Sequence, residues 1–203
     1  MLNKPEYDIE LIIGARETGK SAYVVGNEEF NVIGTLVQNM LSGRPAIILD
    51  QIFHPKYEGF AVIPKEKLLT HKITKGIYRI IEPTKKGLQQ AEGIIATTQT
   101  DIDVYLEDTR RYERDELSDG GSQLFGNSKN VRQRLKCMYH NWRHVPKDII
   151  MYADVLTLFK TSNPPGKREA NEFADRFDEV MELYNEVQAH PSKFFRKSII
   201  VSQ

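Results

Sequence analysis

Ile9-Glu10-Leu11-Ile12-Ile13-Gly14-Ala15-Arg16-Glu17-Thr18-Gly19-Lys20-Ser21 is a short apolar run that passes into the pattern G-x-x-x-x-G-K-S, and Ala22-Tyr23-Val24-Val25 follows it. Read as strand, loop and helix, this is the context that separates a phosphate-binding loop from a chance match. The two glycines let the backbone curl until its N–H groups converge on phosphate oxygens. Gly14, Ala15, Arg16, Glu17, Thr18, Gly19, Lys20, Ser21 and Ala22 are therefore the expected phosphate cradle. In such a cradle Lys20 reaches the β- and γ-phosphates and the Ser21 hydroxyl takes Mg²⁺. The start of the following helix adds partial positive charge at the same point. The plain alternative is a turn after a strand, carrying a solvated lysine.

A length of 203 residues fits one domain, with a core over about 7–162 and a helix and tail over 163–203. Hydrophobic residues at 40% and charged residues at 28% are ordinary for a soluble globular chain. The 28 basic residues balance 28 acidic ones. Net charge thus neither points to nucleic acid nor excludes it, because one surface lined with arginines is compatible with overall neutrality. The single cysteine, Cys137, excludes an internal disulfide framework and a cysteine-rich zinc site. Set in the apolar run from Leu135 to Tyr139, it reads as core. Met1-Leu2-Asn3-Lys4-Pro5-Glu6 has no apolar leader region, and no stretch reaches the roughly 18 to 20 apolar residues of a membrane span. A soluble, intracellular protein is expected.

Beyond the loop, polar Gly26-Asn27-Glu28-Glu29 leads to a periodic segment with Ile33, Leu36, Val37, Met40 and Leu41 on one helical face. Ser42-Gly43-Arg44-Pro45 ends it. Ala46-Ile47-Ile48-Leu49-Asp50 suits a strand buried on both faces, as in a parallel sheet. Residues 51–75 read as an excursion with one short helix. Gly76 to Ile81 reads as a strand, Thr84 to Thr98 as a helix weakened by Gly87 and Gly93, and Ile102 to Asp108 as a strand ending in two carboxylates. Residues 109–134 are polar, and Gly120, Gly121 and Gly126 are expected to break any long helix. Leu135 to Tyr139 is a strand, Lys147 to Ala153 a two-turn helix, and Asp154 to Phe159 a last central strand. After the break at Asn163-Pro164-Pro165-Gly166, one helix carries Phe173, Phe177, Val180, Met181, Tyr184 and Val187. The tail around Ser198-Ile199-Ile200-Val201 is β-prone and suits an edge strand. Strands alternating with helices, with the phosphate loop in the first unit, predict a three-layer α/β fold.

A nucleotide-hydrolysing site needs a carboxylate at a nearby strand tip for Mg²⁺ and a group to orient or deprotonate water. Glu107 is assigned to the metal, with Ser21, and Asp108 to the water, with the exchanged assignment left open because the commoner order is Asp then Glu. Asp50 ends another apolar strand and competes for the metal role. His140 and Asn141, at the end of the 135–139 strand, are candidates to touch the γ-phosphate or the water; a turn-forming Asn or a structural His would look the same. Arg16 lies inside the loop and is placed to act in cis on developing phosphoryl charge. Arg110, Arg111, Arg114, Arg132, Arg134 and Arg143 are the other candidates for that role or for nucleic-acid contacts.

These residues resemble a family. The phosphate loop, Val104-Tyr105-Leu106-Glu107-Asp108, and Met138 to Pro146 followed by Asp154-Val155-Leu156-Thr157-Leu158-Phe159-Lys160 look like the FtsK–HerA superfamily, most of all its small viral genome-packaging and zonula-occludens-toxin-like ATPases. The resemblance spans most of residues 7–162, with the phosphate loop as its specific motif. It implies a P-loop NTPase with a RecA-like, mostly parallel sheet in which one strand separates the loop strand from the acidic strand. It also implies ATP and Mg²⁺ as cofactors, a homo-oligomeric ring of five or six copies, DNA as the translocated partner and a capsid vertex protein as docking partner. The implied location is the host cytoplasm, or virions and procapsids. By matching position, Gly14, Gly19, Lys20 and Ser21 take the phosphate and Mg²⁺ roles, Glu107 and Asp108 the acidic roles, and His140 or Asn141 the sensor role. The acids stand in the reverse of the usual Asp-Glu order. The membrane segment of the toxin-like proteins is missing, which favours a packaging motor.

Two other readings compete. A small P-loop kinase usually has another glycine within the loop, where this chain has Ala-Arg-Glu-Thr. A non-hydrolysing, nucleotide-dependent assembly protein would follow if Glu107 and Asp108 stood away from the loop. A GTPase is disfavoured, since no Asn-Lys-x-Asp tetrapeptide occurs.

Overall fold

Helices on both faces of one sheet carry the chain, and every strand from the first to the seventh runs the same way. The computed structural model describes residues 8–28 and 33–202. The stretch from Met1 to Glu6 and Glu29, named above, lie outside the described residues. In chain order the elements are β1 (Ile9–Ile13), α1 (Lys20–Val25), α2 (Thr35–Ser42), β2 (Ala46–Asp50), β3 (Ala61–Val62), β4 (Ile77–Ile81), α3 (Lys85–Thr98), β5 (Asp103–Leu106), α4 (Asp119–Asn127), β6 (Arg134–Tyr139), α5 (Lys147–Tyr152), β7 (Val155–Phe159), α6 (Lys167–Phe173), α7 (Phe177–Ala189) and β8 (Arg196–Ile200). The sheet order is β3-β4-β2-β5-β6-β1-β7-β8. β8 alone pairs antiparallel, as the expected edge strand on β7. β6 lies between β1 and β5, the extra strand that the family resemblance implied.

Strand side chains alternate between two cores, as pleating requires. Leu11, Ile47, Leu49, Val104, Leu106, Leu135 and Cys137 join α3, α4, α5 and α7 on one face. Ile12, Ile48, Tyr105, Met138 and Phe159 meet Val24 of α1 and Leu36 of α2 on the other. The result is a three-layer α/β fold. Parallel register aligns the strand ends that matter: Ile13 pairs with Tyr139, and Leu106 with Cys137. Gly14 N–H donates to Tyr139 O at 3.1 Å and Ala15 N–H to Lys160 O at 2.8 Å, so the phosphate loop is anchored to both neighbouring strand ends.

Several expectations need correcting. The single helix expected beyond Gly166 is divided at Ala174, whose φ of 46° breaks it into α6 and α7. The excursion over 51–75 holds two 3-10 turns, Pro55–Tyr57 and Lys65–Leu69, and the two-residue β3. The apolar face of α2 is not a core face: Leu36 is buried, but Ile33, Met40 and Leu41 are 61%, 62% and 78% exposed. Thr35 and Asn39 are buried instead, Asn39 because its side-chain amide donates to Asp103 Oδ2 at 2.9 Å. The polar stretch 109–134 contains the nine-residue α4, straight through its glycines. Ser118 caps it, accepting from Gly121 N–H at 3.0 Å. Gly120 is there for contact: a Cβ on it would stand 2.0 Å from Gln89 O on α3. Among the described residues no helix is long and apolar enough to cross a membrane.

Candidate functional site

Gly14 lets the loop leave β1 under Phe159, where a Cβ would stand 2.5 Å from the Phe159 Cβ. Gly19, at φ +102°, turns the chain into α1 with a backbone that other residues rarely adopt. Thr18 Oγ1 donates to Ala15 O at 2.8 Å and closes the loop on itself. Beside it lies a cleft of about 610 Å³ lined by Arg16, Lys20, Glu107, Asp108, His140 and Phe194, among others. Glu17, Gly19, Ser21 and Ala22 also face it, whereas Gly14, Ala15 and Thr18 contribute to the loop's frame.

Lys20 Nζ folds back to donate to the carbonyl oxygens of Gly14 and, at 2.7 Å, Ala15. Burial pulls its pKa down to about 8, and the charges of Lys56 and Arg110 act the same way against the opposing pull of Glu107 and Asp108. His140 Nδ1 stands 3.3 Å from Lys20 Nζ. As the acceptor from that ammonium, the ring carries its proton on Nε2, which faces Asp108 Oδ1 at 3.5 Å. Burial, then the Lys20 charge, brings the His140 pKa to about 4, with Arg110 and Arg16 adding and Asp108 opposing. The imidazole is neutral at neutral pH. Asn141 does not line the cleft, so of the two candidates at this strand end only His140 reaches it.

Glu107 and Asp108 follow the end of β5 and part company there. Glu107 N–H donates to Leu49 O at 3.0 Å, and its Oε2 accepts from Tyr57 Oη–H at 2.5 Å and Lys56 Nζ at 2.8 Å. Asp108 adopts φ 44°, ψ 49° and turns its carboxylate to Arg110 Nε at 2.9 Å and Arg111 Nε at 2.5 Å. Burial works against its charge, but the Arg111 hydrogen bond and the charges of Arg110 and Arg111 prevail and hold it below the usual carboxylate range. Asp50, the competitor for the metal, has both oxygens committed: Oδ2 to Arg79 at 3.2 Å and Oδ1 to Ile52 N–H at 3.3 Å.

Of the arginines, Arg16, Arg110 and Arg111 are at the cleft or on Asp108. Arg134 and Arg132 are elsewhere. Arg134 starts β6 and pairs with Asp103 at 2.7 Å, and Arg132 pairs with Asp101 at 2.5 Å. Both stand where β5 and β6 begin, at the opposite end of the sheet from the phosphate loop.

The metal question turns on one contact. Lys56 Nζ touches both Glu107 Oε2 and, at 3.3 Å, Ser21 Oγ, so the gap between hydroxyl and carboxylate already accommodates a positive charge. Both donors are oxygens of the kind Mg²⁺ takes, and the residues fit that ion. Among the described residues no group of three or more His, Cys, Asp or Glu forms a cage, so phosphate oxygens and water would have to complete the shell. Lys56, Tyr57, Lys193 and Phe194 were not expected at the site. His54-Pro55 does announce a turn, with His54 Nδ1 accepting from Lys56 N–H at 3.3 Å. Nothing local says that the turn folds over Glu107.

The fold and the cleft define a P-loop NTPase fold with one additional strand. Among solved structures the chain is similar to the genome packaging NTPase B204 from Sulfolobus turreted icosahedral virus 2 in complex with sulfate, at TM-score 0.70 and 13% identity over 97% of this chain and 92% of that one. It is similar to the same NTPase in complex with ATP-gammaS, at 0.65 and 13% over 96% and 97%. It is also similar to B204, the DNA-packaging ATPase from Sulfolobus Turreted Icosahedral Virus, at 0.68 and 15% over 98% and 94%. At such identities the likeness concerns the fold alone. No protein-family model matches the chain, and no curated protein matches it in sequence.

Proposed function

We propose that the chain is an ATP-hydrolysing motor that translocates DNA and packages a viral genome. One observation carries the reading: the phosphate loop, Glu107, Asp108 and His140 converge on one cleft at the C-terminal edge of the sheet. The similar structures add support, being of packaging NTPases, one of them holding ATP-gammaS.

In this reading Lys20 leaves the Gly14 and Ala15 carbonyls for the β- and γ-phosphates. Ser21 and Glu107 would hold Mg²⁺, which would supply charge neutralisation on the phosphate oxygens. Asp108, kept ionised by its arginines, orients the attacking water, with neutral His140 beside it. Arg16, exposed at the mouth, acts on the transferring phosphoryl group. DNA, a ring of like copies, a capsid vertex protein and a cytoplasmic place of work are the partners and setting that go with this reading.

The test is ATP turnover with and without double-stranded DNA. Wild type hydrolyses ATP faster with DNA; Lys20→Ala and Asp108→Asn lose about a hundredfold or more. Full turnover in Lys20→Ala would sink the hydrolytic reading. Turnover that ignores DNA would leave an ATPase without the motor. ATP held tightly without turnover would favour the assembly protein, a reading that the two arginines on Asp108 keep open.

A further inference from the structure

We propose that Lys56 is a tethered cation that stands in the place of the divalent ion while the cleft is empty and is displaced when that ion enters. The inference rests on the reading of Ser21 and Glu107 as metal ligands and goes beyond it, because it concerns a residue outside the phosphate loop and the acidic strand end.

The contact is built into the fold. Lys56 sits in the Pro55–Tyr57 turn. The next residue, Tyr57, is fully buried and donates to the same Glu107 oxygen that Lys56 contacts. Burial, then the charge of Glu107 and the hydrogen bond to it, pushes the Tyr57 phenol well above its ordinary pKa, so it stays a donor. Arg79, itself wholly buried, donates to Tyr57 O at 3.0 Å and pairs with Asp50. The turn is thus pinned from the core side, and only the long lysine side chain is left to move. Its ammonium lies between Ser21 Oγ and Glu107 Oε2, the two oxygens that a hard cation would bridge. Ammonium and divalent ion cannot both occupy that gap, since two like charges a few ångströms apart repel strongly where water is scarce. Lys56 therefore satisfies Glu107 in the empty site, and entry of the ion must break its contact with the carboxylate. Tyr57 keeps its hydrogen bond to Glu107 in either condition and holds the carboxylate in place.

The experiment measures Mn²⁺ binding to the nucleotide-free protein by electron paramagnetic resonance of the free ion, Mn²⁺ sharing the oxygen preference of Mg²⁺. Lys56→Met is expected to bind Mn²⁺ about tenfold tighter or more, and Lys56→Arg, which keeps the charge, to stay close to wild type. Lys193→Met, which removes another cleft lysine, controls for a general gain from lost positive charge and should tighten binding far less. Glu107→Gln in the Lys56→Met background should remove the gain. No tightening in Lys56→Met, equal tightening in Lys193→Met, or no measurable Mn²⁺ in any variant overturns the proposal. Mn²⁺ binding that ignores Glu107→Gln sinks the metal-ligand reading itself, a different failure. If Lys56→Met does not fold, as judged by its thermal melt, Lys56→Gln takes its place.

Discussion

Lys20 is the residue at which local electrostatics turn into a measurable dependence on pH. Its pKa is about 8 because burial penalises the ammonium. A phosphate anion against the same nitrogen favours the charged form and raises that value again. Above pH 8, nucleotide binding therefore takes up a proton, and affinity for ATPγS falls as pH rises, approaching about tenfold per unit. The effect on stability has the opposite sign. The folded pKa lies below the usual 10.5, so between the two the unfolded chain holds more protons, and the share of stability due to Lys20 rises with pH across that window. Isothermal titration at pH 7.5 and pH 9.5, in buffers of different ionisation heat, reads both the affinity and the proton. An affinity flat across that range would mean that the lysine keeps its proton in the empty site. The neighbouring His140, near 4, takes no part in this window.

Among the elements, the crossing of α3 over α4 shows how a glycine can be misread. Gly93 and Gly120 meet at this crossing, but their surroundings differ. A Cβ on Gly120 would meet Gln89 O at 2.0 Å and Gly93 N at 3.1 Å, both backbone atoms that cannot swing away. A Cβ on Gly93 would find ordinary contacts at 3.6 and 3.8 Å. Gly120→Ala should therefore destabilise by about 1–3 kcal/mol, as overpacking does. Gly93→Ala should be neutral or gain up to about 1 kcal/mol from helix propensity. Urea unfolding of the two variants separates them, and equal effects would contradict the close approach. This crossing also marks how far the sequence could be read. Buried parallel strands announce themselves as short apolar runs, so β1, β2, β5, β6 and β7 and the alternation around them were legible. The helix α4 was not, because glycines that permit contact look the same as glycines that break helices until the partner helix is known. The Lys56 turn was illegible for a related reason: its meaning lies in Glu107, far along the chain. His140 and Asn141 differ only in which side chain the turn after β6 presents to the cleft, and spacing carries no such information.

At the scale of the whole molecule, the phosphate loop's own strand is held by distant partners. Glu10, wholly buried in the middle of β1, receives Lys136 of β6 at 2.6 Å, Tyr23 of α1 at 2.6 Å and Thr157 of β7. Burial favours a neutral Lys136, but the charge of Glu10 overrides it and holds the ammonium well above its ordinary pKa. Lys136→Met takes the countercharge from a buried carboxylate and should cost about 3–5 kcal/mol; adding Glu10→Leu should restore part of that. The position of Glu10 has a second meaning during synthesis. Residues 46–106 supply β2, β3, β4 and β5, which pair with one another, whereas Glu10 and Lys136 are 126 positions apart. A nascent chain thus carries Ile9-Glu10-Leu11-Ile12-Ile13 without its β6 partner until Lys136, 126 positions on, has been made, and such a run is prone to stick to its like. A charge in the centre of such a run disfavours that association. The Glu10→Leu, Lys136→Met double variant should therefore refold with more light scattering than Lys136→Met alone, despite being the more stable of the two once folded.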